Sequence, residues 1–110
     1  MVTEVEIEEV CKSIYDELKE DYVGLWSISW MFREIYHEVD ICVIRQLTFQ
    51  VVRRMLERKL MISGSFECEV FKKWSMDSNE VMDKISSEWF DGDPIPGVVG
   101  EIVWFESFEE

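Results

Sequence analysis

Three observations predict an α+β fold, a single compact domain over residues 1–110 with about three helices and a small antiparallel sheet. A length of 110 residues is one domain's worth of chain, and no linker divides it. Apolar residues recur at spacings of three and four in long segments, and the spacing changes to alternation in two shorter ones. The resulting order is helix, helix, strand-like segment, helix, loop, strand. It also fits a winged helix in which residues 40–59 take the recognition position.

In TEVEIEEVCKSIYDELKEDY, the residues Ile7, Val10, Cys11, Ile14 and Leu18 form one apolar face, with acids mostly between them. Thr3 and Glu6 have capping-box spacing at its start, and Gly24 suits its end. LWSISWMFREIYHE is so apolar that two periods compete. Trp26, Trp30 and Arg33 fit a helix, whereas Trp26, Ile28 and Trp30 also alternate; a helix is predicted because REIYHE continues it.

Residues 40–59 carry the clearest pattern, a stripe of Ile44, Leu47, Thr48, Val51, Val52, Met55 and Leu56. Asp40 can cap its start, and Arg58 and Lys59 stand where the helix dipole favours cations. LMISGSFECEVF then alternates around Gly64, the pattern of a strand with a bend or bulge. In DSNEVMDKISSEWF, Asp77 and Glu80 have capping-box spacing, and Val81, Met82, Ile85 and Trp89 line one face. DGDPIPGVVG, with two prolines and three glycines, is a loop. EIVWFE closes the sheet beside the strand that follows the long helix, with either Ile102 and Trp104 or Val103 and Phe105 facing the core.

The formal net charge is -13 with 47% hydrophobic residues, a mixture that folds. The charge is uneven. Residues 1–32 hold eight acids and two bases, residues 33–59 four and six, and residues 74–110 ten and one. Such acidity repels nucleic acid and speeds encounter with a basic partner. Gln46, Gln50, Arg53, Arg54 and Glu57 are expected on the exposed side of the 40–59 helix, but the acidic flanks oppose duplex binding. No apolar run is long enough to span a membrane, and the first residues do not read as a secretory signal, so no membrane partner and a cytoplasmic location are expected.

Cys11, Cys42 and Cys68 are expected to be buried reduced thiols. His37 is the only histidine, which excludes a multi-His metal centre within one chain, and no metal or cofactor is expected. Asp91 and Asp93 in DGDP resemble the start of a calcium loop, but Ile95, Gly97 and Val99 stand where oxygen ligands are needed. The chain carries no GxxxxGK[ST], GxSxG or HExxH, so no catalytic residue is assigned and no enzyme activity is expected. The five tryptophans are expected mainly in the core, with indole N–H groups reaching polar partners.

GLWSISW, IRQLTFQVVRRMLERKLMISG and KKWSMDSNEVMDKISSEWFDGDPIPGVVGEIVWFE together resemble small acidic bacterial immunity proteins of contact-dependent growth inhibition and related polymorphic toxin systems. The features that carry the resemblance are Trp74 before a helix, the pair Glu88 and Trp89 at its end, the loop Pro94 to Gly100, and the strand Ile102 to Phe105. It implies a cytoplasmic, non-enzymatic antagonist of a basic toxin domain, commonly a nuclease, whose active site it covers. No functional residue is carried across by it. Charge density and exposure instead nominate Asp16, Glu17, Glu20 and Asp21, near the end of the first helix, together with Glu88, Asp91 and Asp93, as toxin-binding residues. The alternative is a winged-helix regulator or adaptor that binds nucleic acid or protein through the 40–59 helix.

Overall fold

The computed structural model describes residues 2–89 and 102–108. The order is α1 (Glu4–Leu18), β1 (Val23–Gly24), α2 (Leu25–Glu34), α3 (Ile41–Glu57), β2 (Met61–Glu67), β3 (Val70–Lys73), α4 (Ser78–Glu88) and β4 (Trp104–Ser107). There are four described helices rather than about three, around one core, and the α+β class holds. The radius of gyration of 13.0 Å is that of one domain of this length.

The helix starts follow the caps in the sequence. Thr3 and Glu6 form a reciprocal capping box at α1, Asp77 and Glu80 form one at α4, and the Asp40 carboxylate accepts from the N–H groups of Cys42 and Val43 at α3. Two ends differ from expectation. Lys19, not Gly24, caps the end of α1, and Gly24 is instead the N-cap of α2. The helix α2 stops at Glu34, and His37 takes a left-handed backbone at φ 59°.

The expected apolar faces meet in one core. Ile7, Val10, Cys11, Ile14 and Leu18 of α1 pack with Leu47, Val51, Val52 and Met55 of α3, and with Val81, Met82 and Ile85 of α4. Full burial of an aliphatic side chain contributes about 1.5–3 kcal/mol, and Leu25, Ile28 and Phe32 of α2 with Trp89, Val103 and Phe105 complete the same core. Between α2 and α3 the core holds one polar contact. The Ser29 and Thr48 hydroxyls lie 2.8 Å apart, and Thr48 also donates to the Ile44 carbonyl at 2.7 Å. That geometry leaves Ser29 to donate to Thr48 and satisfies both buried groups.

The sheet is antiparallel in the order β1-β4-β2-β3. As expected, β4 pairs with the strand after the long helix, and Val103 and Phe105 are the pair that enters the core. The segment expected as one strand with a bend is a hairpin. β2 runs through Gly64 without a bulge, and the chain turns back at Cys68 and Glu69, both with positive φ. This hairpin follows α3 as a wing would, but β4 pairs on its other side, so β2 lies inside the sheet rather than projecting.

Cys11 is buried, and burial is the main reason its thiol is pushed up from the ordinary value. Cys42 and Cys68 are exposed, against expectation: one lies in the first turn of α3, the other at the hairpin tip. Trp89 is 1% exposed, whereas Trp26, Trp74 and Trp104 are half-buried and Trp30 is 47% exposed, so tryptophan mostly borders the core. The loop acids Asp91 and Asp93 and the glycines Gly97 and Gly100 lie outside the described residues.

Candidate partner-binding face

Alternation along the strands decides what the sheet shows to solvent. In β2, Met61 and Ser63 turn inward and are buried, so Ile62, Gly64 and Phe66 occupy the outer face. The register places Phe71 opposite Phe66, Lys73 and Trp104 on either side of Gly64, and Glu106 opposite Ile62. Tyr22 enters the same face one residue before β1.

Four rings meet there. Tyr22 stacks on Phe71, with centroids 5.1 Å apart and 26° between planes, and meets Phe66 edge-on at 4.9 Å. Phe66 also contacts Phe71 at 5.7 Å and Trp104 at 5.3 Å, both edge-on. Such edge and offset contacts are the favoured aromatic geometries. Gly64 makes the cluster possible. A Cβ there would sit 2.5 Å from the Phe71 ring and 2.5 Å from the Lys72 carbonyl oxygen, so the ring lies over bare backbone. Tyr22 and Phe66 each remain 38% exposed, which leaves an aromatic surface open to a partner.

Carboxylates border these rings. Glu20 and Asp21 immediately precede Tyr22, and with Glu106 they line a shallow cleft of about 190 Å³ between the end of α1 and β4. Glu67 and Glu69 are exposed at the hairpin end. Among the described residues, Glu17, Glu20 and Asp21 have no ion-pair partner; one Asp21 oxygen accepts the Tyr22 N–H at 2.7 Å. Asp16 is exposed and pairs with Lys19 at 3.6 Å.

The structure thus brings Glu20 and Asp21 to the aromatic face, with Asp16 and Glu17 just before them on α1. It does not bring Glu88 there. Glu88 is exposed at the end of α4 and pairs with Lys84 at 3.4 Å, and nothing among the described residues joins it to the acids of α1. Sequence reasoning missed Tyr22, Phe66, Phe71, Trp104 and Glu106. The available signal was the alternation of β2, which puts Gly64 and Phe66 on one face.

The arginines of α3 and its C-cap differ in placement, and this bears on the nucleic-acid alternative: Arg45 and Arg54 are half-buried, whereas Arg53, as expected, and Arg58 are exposed. Arg54 pairs with Glu4 at 2.7 Å and Glu8 at 2.8 Å, and Arg58 pairs with Glu8 at 2.7 Å. Arg45 donates to the Trp89 carbonyl at 2.7 Å, and Arg53 to Asn79 at 3.3 Å. Arg54, expected on the exposed side, is half-buried between helices. Hydrogen bonds from Arg58 and then Arg54 hold the Glu8 carboxyl below the ordinary carboxylate range. These contacts anchor α1 and α4 onto α3, and Glu4 and Glu8 neutralise the charge of Arg54 and Arg58.

No helix among the described residues is long and apolar enough to cross a membrane, and no group of three or more potential metal ligands occurs among them. Comparison of the chain with family models, curated proteins and solved structures gave no match.

Proposed function

We propose that this protein is a non-catalytic antagonist, an immunity protein that binds a basic toxin domain, commonly a nuclease, and covers its substrate site. The binding surface is the aromatic outer face of the sheet with its border of carboxylates. The observation that carries this reading is the juxtaposition of half-exposed Tyr22 and Phe66 with Glu20 and Asp21, acids without a cationic partner among the described residues.

Aromatic anchors ringed by charge supply the two properties a toxin antagonist needs. Carboxylates draw in a surface built to attract polyanions and so raise the association rate. Rings that become fully desolvated hold the complex and slow dissociation. The sequence resemblance to immunity proteins supports the same reading.

The test is co-purification with the basic domain encoded beside this protein, followed by stopped-flow association across salt concentration. A rate that falls steeply with salt, together with loss of the domain's activity in the complex, is the expected result. An association rate indifferent to salt removes the electrostatic role, and turnover of a substrate by the purified protein alone ends the proposal.

A further inference from the structure

We propose that a second site, remote in character from the acidic face, binds a small amphipathic organic anion: a carboxylate on a single ring or a short branched chain. The site is a cavity of about 230 Å³ between the end of α3, the start of β2 and the start of α4. Leu56, Val81 and Trp74 give it apolar walls, and Lys59 and Lys73, both exposed, are its charged lining residues.

The sign of the charge is informative. In a chain with 24 acids and 11 bases, the lining holds two lysines and no carboxylate. The carboxylates of neighbouring Asp77 and Glu80 are engaged by each other's backbone N–H groups in the α4 capping box. A cationic cavity in so acidic a molecule selects anions.

A second observation is independent of charge. Ser63 also lines the cavity, is only 5% exposed, and its hydroxyl has no hydrogen-bond partner among the described residues. Buried hydroxyls are normally paired, and a bound carboxylate would accept this one while the lysines neutralise its charge. The Trp74 wall is fixed in advance. Its indole N–H donates to the Ser65 hydroxyl at 3.3 Å, and the Lys84 ammonium lies 5.2 Å from a ring centroid. The volume is below the range of about 300–1,000 Å³ typical of drug-sized ligands, which limits the occupant to metabolite size.

The experiment titrates the full-length ¹⁵N-labelled chain with phenylacetate, with its neutral isostere phenylacetamide, and with inorganic phosphate, following the Trp74 indole and the Ser63 and Val81 amides by NMR. Saturable shifts with phenylacetate, at an affinity at least about tenfold above that of the amide, are expected. Phosphate, which lacks an apolar body, should leave these resonances in place. Lys59→Gln with Lys73→Gln should abolish the preference for the acid, and because both lysines are exposed the fold should be retained. Ser63→Ala should weaken phenylacetate binding while leaving the remaining spectrum unchanged. No saturable shift at millimolar phenylacetate, equal affinity for the amide, or saturation by phosphate at the same resonances would overturn the assignment.

Discussion

Glycine 64 has a task no other residue type can perform at that point. The Lys72 carbonyl that a Cβ would meet belongs to paired backbone, and the Phe71 ring that it would meet is stacked under Tyr22. Gly64→Ala is therefore expected to destabilise the fold by about 2–3 kcal/mol, within the range for overpacking, and to displace Phe71. Urea unfolding and near-UV circular dichroism read the two effects; an unchanged aromatic signal would contradict the packing described. At the hairpin tip the opposite holds. Cys68 and Glu69 sit at φ 50° and 67°, where a two-residue turn favours Asn-Gly. Relieving the left-handed strain with Cys68→Asn and Glu69→Gly should stabilise the protein by about 1–2 kcal/mol. A urea midpoint that does not rise would show that the turn is not strained.

At the scale of elements, two contacts tie the helices together by different physics. The α1–α3 contact is ionic. Because Glu8 is held below its ordinary value, the stability it contributes is present above the unfolded carboxylate value, about 4.3, and is lost as pH falls through the lower folded value. Glu8→Gln should therefore lower the unfolding midpoint at neutral pH and converge with the parent protein under strongly acidic conditions. Equal differences at pH 7 and pH 3 would remove this role for Glu8. The α2–α3 contact is a buried hydroxyl pair. Thr48→Val leaves Ser29 without its acceptor and should cost about 1–3 kcal/mol, whereas adding Ser29→Ala should recover much of the loss. Additive effects in the double variant would show that the two groups are not coupled.

For the whole molecule, the proposed partner contact divides into rate and lifetime. Replacing Glu20 and Asp21 with Gln and Asn should slow association and flatten its salt dependence, with little effect on dissociation. Phe66→Ala should instead shorten the lifetime of the complex, by roughly ten- to thirtyfold if the ring is a hot spot worth about 2 kcal/mol. Stopped-flow measurements on both variants separate the contributions. A Phe66 variant with unchanged dissociation would place the interface elsewhere. The same scale explains what was legible beforehand. The helices α1, α3 and α4 could be read because their caps and their 3.6-residue stripes are local properties: Thr3, Asp40 and Asp77 mark starts, and Ile44 to Met55 mark the central face. By contrast, α2 has no side-chain cap, and its apolar run fits two periods. The acids could be counted but not sorted. Glu8 and Glu20 look alike in sequence, yet one is clasped by two arginines 46 and 50 residues away and the other lies in an open cleft.

By itself, the sequence determined the α+β class, the starts of α1, α3 and α4, the faces of those helices that enter the core, the pairing of the last strand with the one after the long helix, and the strong acidity. These depend on spacing and on near neighbours along the chain. Tertiary structure alone decided which carboxylates keep their charge free, which rings remain half-exposed around Gly64, and where Ser63 is buried beside two lysines. Those outcomes depend on strand register and helix packing, which join residues far apart in the chain, and a single sequence carries no local mark of them.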